Sequence, residues 1–119
     1  MGNLPKRITL SRAKGWRMPP NTVKVDRSTK FGNPWSISGA REAGYKGSDC
    51  DLARWCVELF RDWLSGREVL IGRWPPGADE ISTLRGKNLA CWCKQGEPCH
   101  ADVLLEIANR PTQSEDADD

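Results

Sequence analysis

The sequence predicts a small single-domain α/β protein, with a mostly parallel sheet flanked by helices. Three observations point there. Short stretches at residues 8–10, 22–26 and 89–93 have the two-residue period and the composition of strands. Between them Leu52, Trp55, Cys56, Leu59, Phe60 and Trp63 fall at i, i+3, i+4, i+7, i+8 and i+11, one continuous apolar stripe of a helix. After the last strand, Val103, Leu104, Ile107 and Ala108 recur at helical spacing. The resulting order, β-β-loop-α-(β)-α-β-α, suits a small sheet with helices packed against it.

Each element has its local reason. Ile8 and Leu10 alternate with Thr9 and Ser11, a short edge strand. Residues 12–21 are basic, carry Trp16 and run into Pro19-Pro20, which favours an extended loop. Thr22-Val23-Lys24-Val25-Asp26 alternates cleanly as a strand. Residues 36–46 form a polar, glycine-containing connection without a readable pattern. Ser48 with Asp51 three residues on resembles a capping box at the start of the long helix, and Ser65-Gly66 closes it. Residues 69–72 read as a short strand or a packed loop, and 74–77 as a loop. Asp79 is placed to cap a short helix over 80–85, with Gly86 as its stop. Residues 1–110 make the single domain. Residues 111–119, polar and acidic, are expected to be a disordered tail.

A chain of 119 residues suffices for one modest core. No apolar run reaches membrane-spanning length and the N-terminus lacks a signal-peptide stretch, so a cytoplasmic protein with no membrane partner is expected. Five cysteines, an odd number in a reducing compartment, favour metal, catalytic or core roles over disulfides. The net charge is only +2, but residues 1–35 hold eight Lys or Arg against Asp26 alone, while the end of the chain is acidic. A basic front points to an anionic partner.

The chemistry gathers at Cys91-Trp92-Cys93 and Cys99-His100-Ala101-Asp102, where a strand ends, a polar turn follows and a helix begins. Alternation puts Cys91 and Cys93 on one sheet face and Trp92 on the other. Cys99, His100 and Asp102 fall in the cap or first turn of the helix, among free backbone N–H groups. A second informative stretch, Arg27-Ser28-Thr29-Lys30-Phe31-Gly32-Asn33-Pro34-Trp35, directly follows a strand, where α/β sites collect. Gly32 permits backbone shapes that other residues resist, and Pro34 extends Asn33.

Three readings follow. In the first, Cys91, Cys93, Cys99 and His100 bind zinc as a Cys3His set; the residue types fit, whereas the CxC and adjacent Cys-His spacings are unusual for structural zinc. In the second, a metal-free pocket takes a nucleotide or a nucleic-acid phosphate. Cys99, His100, Asp102 and Asn33 are then the candidate catalytic groups, and Arg27, Lys30, Gly32, Asn33, Cys91 and Cys93 the binding groups. In the third, Arg12, Lys14, Trp16 and Arg17 bind nucleic acid by phosphate contacts and stacking, without catalysis. There is no Walker sequence, no dinucleotide fingerprint and no zinc-deaminase signature. Cys56 lies inside the apolar stripe and reads as a small core residue.

The segments Lys30-Phe31-Gly32-Asn33-Pro34-Trp35, Leu84-Arg85-Gly86-Lys87-Asn88-Leu89-Ala90-Cys91-Trp92-Cys93 and Cys99-His100-Ala101-Asp102-Val103-Leu104 together resemble a family of small bacterial and phage proteins catalogued as a domain of unknown function. The resemblance runs from about residue 23 to 109. It implies a compact single domain and no established activity. These residues point to a nucleotide or nucleic-acid phosphate pocket, with room for an enzymatic role, between the Gly32 loop and the cysteine motif. Its alternative is a zinc-stabilised nucleic-acid-binding module.

Overall fold

A computed structural model describes residues 5–110. The expected disordered tail lies outside the described residues. The elements in chain order are β1 (Arg7–Thr9), β2 (Thr22–Lys24), α1 (Ile37–Glu42), α2 (Asp49–Ser65), α3 (Ala78–Ser82), β3 (Asn88–Cys91) and α4 (His100–Ala108). The sheet has three strands in the order β1-β3-β2, and both pairings are parallel. The strand that comes last in sequence is therefore central. Its side chains are covered on both faces: Leu89, Ala90 and Cys91 are all buried, as expected for a strand inside a parallel sheet.

Register places the C-terminal ends of all three strands side by side. Thr9 stands opposite Cys91, and Lys24 opposite Ala90. The ladder continues past the regular strands, with Leu10 donating to the Cys91 carbonyl at 2.7 Å and Val25 to that of Ala90 at 2.8 Å. Every chain segment leaving this edge thus starts from a fixed point.

α2 forms as the stripe requires. The Ser48 hydroxyl accepts from the Asp51 amide, and Gly66 ends the helix at φ 88°, a left-handed conformation that glycine adopts without strain. Leu52, Cys56, Phe60 and Trp63 face the core, while Trp55 turns aside to stack on Tyr45 with ring centroids 4.4 Å apart. Phe60 and Trp63 meet Leu89, Cys91, Val103 and Leu104 in one core. α4 presents Ala101, Val103, Leu104 and Ala108 to it.

Three local expectations change. Residues 36–46 contain helix α1, capped by Ser36, whose hydroxyl accepts from Gly39. α3 is capped at Gly77 rather than Asp79, and Glu80 reaches back to the Gly77 amide at 3.1 Å. Residues 69–72 form no regular strand, and of them Leu70 packs against the core. Leu70 and Arg73 form an isolated bridge around a tight turn, and Val69, Ile71 and Trp74 are exposed. Among the described residues no helix is long and apolar enough to cross a membrane.

Candidate metal-thiolate site

Three sulfurs converge where β3 ends and α4 begins. The Sγ atoms of Cys91, Cys93 and Cys99 all lie within 4.8 Å of one another, and those of Cys91 and Cys99 are 3.1 Å apart. Cys91 is the last residue of β3, Cys93 follows it past Trp92, and Cys99 is the N-cap of α4. Turn 94–98 folds the second half of the motif back over the first, which removes the objection raised by the short CxC spacing.

That turn is built around one buried side chain. Arg7, at the start of β1, donates from Nη1 to the Glu97 carbonyl (2.8 Å) and from Nη2 to the Lys94 carbonyl (2.8 Å). Nη1 also pairs with the Asp102 carboxylate at 3.0 Å. Thr9 adds a hydrogen bond to the Cys93 carbonyl, and Gln95 bonds back to the Arg7 carbonyl and the Thr9 hydroxyl. Gly96, at φ 85°, supplies the left-handed residue the turn needs. The turn owes its shape to β1, some ninety positions away in sequence.

The thiols share charge. Hydrogen bonds from Cys91 and Cys99 hold the Cys93 thiol far below its usual range; burial opposes this, while the fields of His100 and Arg7 assist. Cys91 and Cys99 are correspondingly pushed up, each first through its hydrogen bonding within the trio. Cys93 is the least buried of the three, so the thiol that is held low is also the one with the best access to solvent. Three convergent cysteine sulfurs are a soft-metal donor set.

His100 is buried and held from both sides. Its Nε2 lies 2.6 Å from the Val25 carbonyl, and its ring meets Phe60 edge-on at 5.2 Å. Burial pushes its pKa down, against the pull of the Val25 carbonyl, Cys93 and Asp26. A carbonyl oxygen can only accept, so Nε2 donates to Val25, and Nδ1 faces Cys99 Sγ at 3.8 Å. A ring nitrogen bonded to a backbone carbonyl is the usual way a fold fixes the tautomer of a histidine beside a metal. The imidazole lies outside the group of three close donor atoms.

Beside the sulfurs is a cavity of about 310 Å³, walled by Arg27, Asn33, Trp35 and Cys56 opposite Trp92 and His100. Asp26 also lines it. Ser28 donates to one Asp26 oxygen through its amide and hydroxyl, and the Trp92 indole donates to the other at 2.9 Å. Burial raises the Asp26 pKa, but these bonds, with Lys24 nearby, leave it lowered and the carboxylate charged. Arg27 donates to the carbonyls of Asn33 and Trp35, which ties the Gly32 loop into the wall.

The sequence candidates therefore separate. Cys91, Cys93, Cys99, His100, Arg27 and Asn33 share one cavity. The Asn33 amide is bonded at both ends to backbone, donating to the Cys56 carbonyl at 3.1 Å and accepting from Trp35 at 2.9 Å, so it shapes the wall. Lys30 points away, paired with Glu80 at 2.6 Å. Gly32 is needed for close approach rather than unusual dihedrals: a Cβ there would stand 2.6 Å from the Arg27 Cα and the Asp26 oxygen. Asp102 lies on the far side of turn 94–98, in an open cleft with Arg7 and Thr9. Arg12, Lys14, Trp16 and Arg17 are on an exposed loop. Cys56 is core and cavity wall, with burial raising its thiol pKa.

Arg7, Asp26 and Trp92 were missing from the candidates. Asp26 had a readable signal, because Asp followed two residues later by Ser marks an Asx-type turn. Arg7 had none, since its partners are carbonyls, which are sequence-blind.

Fold and site together define a small α/β domain with a three-cysteine cluster, able to hold a metal ion, at the C-terminal edge of a parallel sheet. The chain belongs to the family described as a domain of unknown function, DUF4326, which it matches over residues 8–110. No curated protein and no solved structure matches it.

Proposed function

We propose that the domain is a zinc-thiolate centre in which Cys91, Cys93 and Cys99 hold one ion on the floor of a nucleotide-binding cavity. The observation that carries this reading is the convergence of three sulfurs within 4.8 Å from a strand end, a turn and a helix cap. Tetrahedral zinc with bonds of about 2.3 Å sets its sulfurs about 3.8 Å apart, within the spread of this trio. Three protein ligands leave a fourth position, the arrangement that separates reactive zinc sites from closed structural ones. Here that position belongs to the cavity ligand or to a water.

The cavity chemistry favours a nucleotide as that ligand. It offers a cation, Arg27, and a charged carboxylate, Asp26, with the indoles of Trp35 and Trp92 as flat apolar surfaces. A phosphate suits the first, an amino or hydroxyl group the second, and a base the third.

Elemental analysis and cobalt substitution test the reading. One zinc per chain is expected, and the Co(II) form should show thiolate-to-metal charge transfer that Cys91→Ser abolishes. Adding AMP should then shift the visible ligand-field bands. A folded wild-type protein that takes up neither zinc nor cobalt would overturn the centre. Normal charge transfer with no response to AMP would overturn the nucleotide ligand alone.

A further inference from the structure

The loop between β1 and β2 reaches the cavity wall through one side chain, Trp92. It leaves β1 beside Cys91, because Leu10 bonds the Cys91 carbonyl, and it must cross β3 to reach β2 on the other side of the sheet. As it leaves, the Arg12 guanidinium stacks over the ring of Trp92 at 4.1 Å from the centroid. Trp92 itself lines the cavity and is held by Asp26. The basic stretch is thereby anchored to the strand that carries the cysteines.

The loop is also pre-shaped. Ser11 accepts from the Ala13 amide at 3.0 Å, and Trp16 donates to the Ala13 carbonyl at 3.0 Å, closing a four-residue turn. Gly15 occupies the position needing positive φ, at 84°. Lys14 stands at the tip, Trp16 leaves the turn partly exposed, and Arg17 follows in solvent. Elsewhere the molecule pairs many of its cations, among them Arg7, Lys24, Lys30, Arg41, Arg61 and Arg110. Among the described residues, Arg12, Lys14 and Arg17 form no ion pair.

Unpaired cations around exposed indoles, on a fixed turn, are the components of a single-strand nucleic-acid surface, in which cations follow phosphates and aromatic faces stack on bases. We propose that Arg12, Lys14, Trp16, Arg17 and Trp92 form a track for single-stranded nucleic acid leading to the cavity. The inference rests on the nucleotide reading of the cavity and deepens it: the nucleotide taken up is one unit of a strand. Trp92 is the junction: Arg12 stacks on its ring, and the same residue lines the cavity.

The test uses a fluorescein-labelled oligo-thymidylate of about twelve nucleotides, within the usual span of such sites, and fluorescence anisotropy over a salt series. Wild-type protein is expected to bind at low salt, with affinity falling steeply as salt rises. The Lys14→Ala/Arg17→Ala double variant should bind at least tenfold more weakly while keeping wild-type metal content and AMP response, since neither residue lines the cavity. Trp16→Ala should bind about tenfold more weakly with a nearly unchanged salt slope. No binding by the wild type, equal binding by the double variant, or tighter binding of a duplex of the same length would each overturn the track. The cobalt form separates this from failure of the cavity reading. Bound oligonucleotide should perturb the same bands as AMP. Strand binding that depends on the loop but leaves an AMP-responsive spectrum untouched would overturn delivery to the cavity. A spectrum blind to both would place the failure in the cavity reading.

Discussion

Arg7 and Asp102 form an ion pair at 3.0 Å that joins the first strand to the first turn of the last helix. The two ends of the pair are unequal, the arginine side chain being 7% exposed and the aspartate 57%. The buried end carries the structural weight. Its two other hydrogen bonds, to the Lys94 and Glu97 carbonyls, close the turn between Cys93 and Cys99.

Arg7→Leu should therefore destabilise the domain by about 3 kcal/mol, because it removes charge-assisted bonds and strands two carbonyls. Arg7→Lys should recover only part of this, since one ammonium cannot reproduce a planar fork. Asp102→Asn should cost less than about 1 kcal/mol, as expected of a pair with one solvent-exposed partner. Urea denaturation of the three variants measures this directly. A wild-type midpoint for Arg7→Leu would show that the turn holds without the clamp.

Gly32→Ala should cost about 1–3 kcal/mol, the range for forcing an atom into a filled site. The new methyl would meet backbone of Asp26 and Arg27, which a rotamer change cannot relieve. The loop must shift, and with it the Arg27 bonds to the Asn33 and Trp35 carbonyls. If the cavity takes a nucleotide as proposed, the variant should also bind AMP more weakly than its loss of stability accounts for. Thermal melts and AMP titration of the cobalt form read the two effects separately.

Much of this architecture was legible in the chain. The period of the α2 stripe, the Ser48 cap and the strand–turn–helix order around the cysteines each follow from local rules, and local rules can be read from local sequence. The α1 helix was hidden because its six residues carry too little periodicity, with only Ala40 buried. The candidate site was legible in its residues and illegible in its geometry. Cys91, Cys93 and Cys99 stood out by type, yet their convergence depends on Arg7, and nothing in an arginine's identity announces which distant carbonyls it will bond. Lys30 and Asp102 fail to enter the cavity for a similar reason: each finds an opposite charge, Glu80 and Arg7, whose position only the tertiary fold determines.

His100→Ala should cost about 2–4 kcal/mol, because it opens a cavity beside Phe60 and leaves the Val25 carbonyl without its donor. On the proposed zinc centre, the variant should still take up one ion per chain, since the three sulfurs form the close donor set without the imidazole. His100→Gln, able to keep a donor toward Val25, should recover part of the stability. Urea midpoints and zinc analysis on the same preparations decide it. Loss of the metal together with retained stability would make the imidazole a ligand rather than a brace.

Acid should loosen the contact between α2 and α4 through Glu106. Arg61 and Arg110 both bond its carboxylate, at distances between 2.8 and 3.1 Å. The Arg61 bond and then the Arg110 bond draw its pKa down to about 2, from an ordinary value of 4.5. A carboxylate depressed in the folded state stabilises fully above its unfolded value and loses that contribution as pH falls through the folded one. The window therefore runs from about pH 4.5 down to about pH 2. Glu106 is half exposed, and solvent screening keeps the whole contribution below about 1 kcal/mol. Glu106→Gln should lower stability by that amount at neutral pH and converge on wild type near pH 2. Urea midpoints measured from pH 7 to pH 2 test this. A constant gap across the series would mean that the loss comes from packing, with no part from the charge.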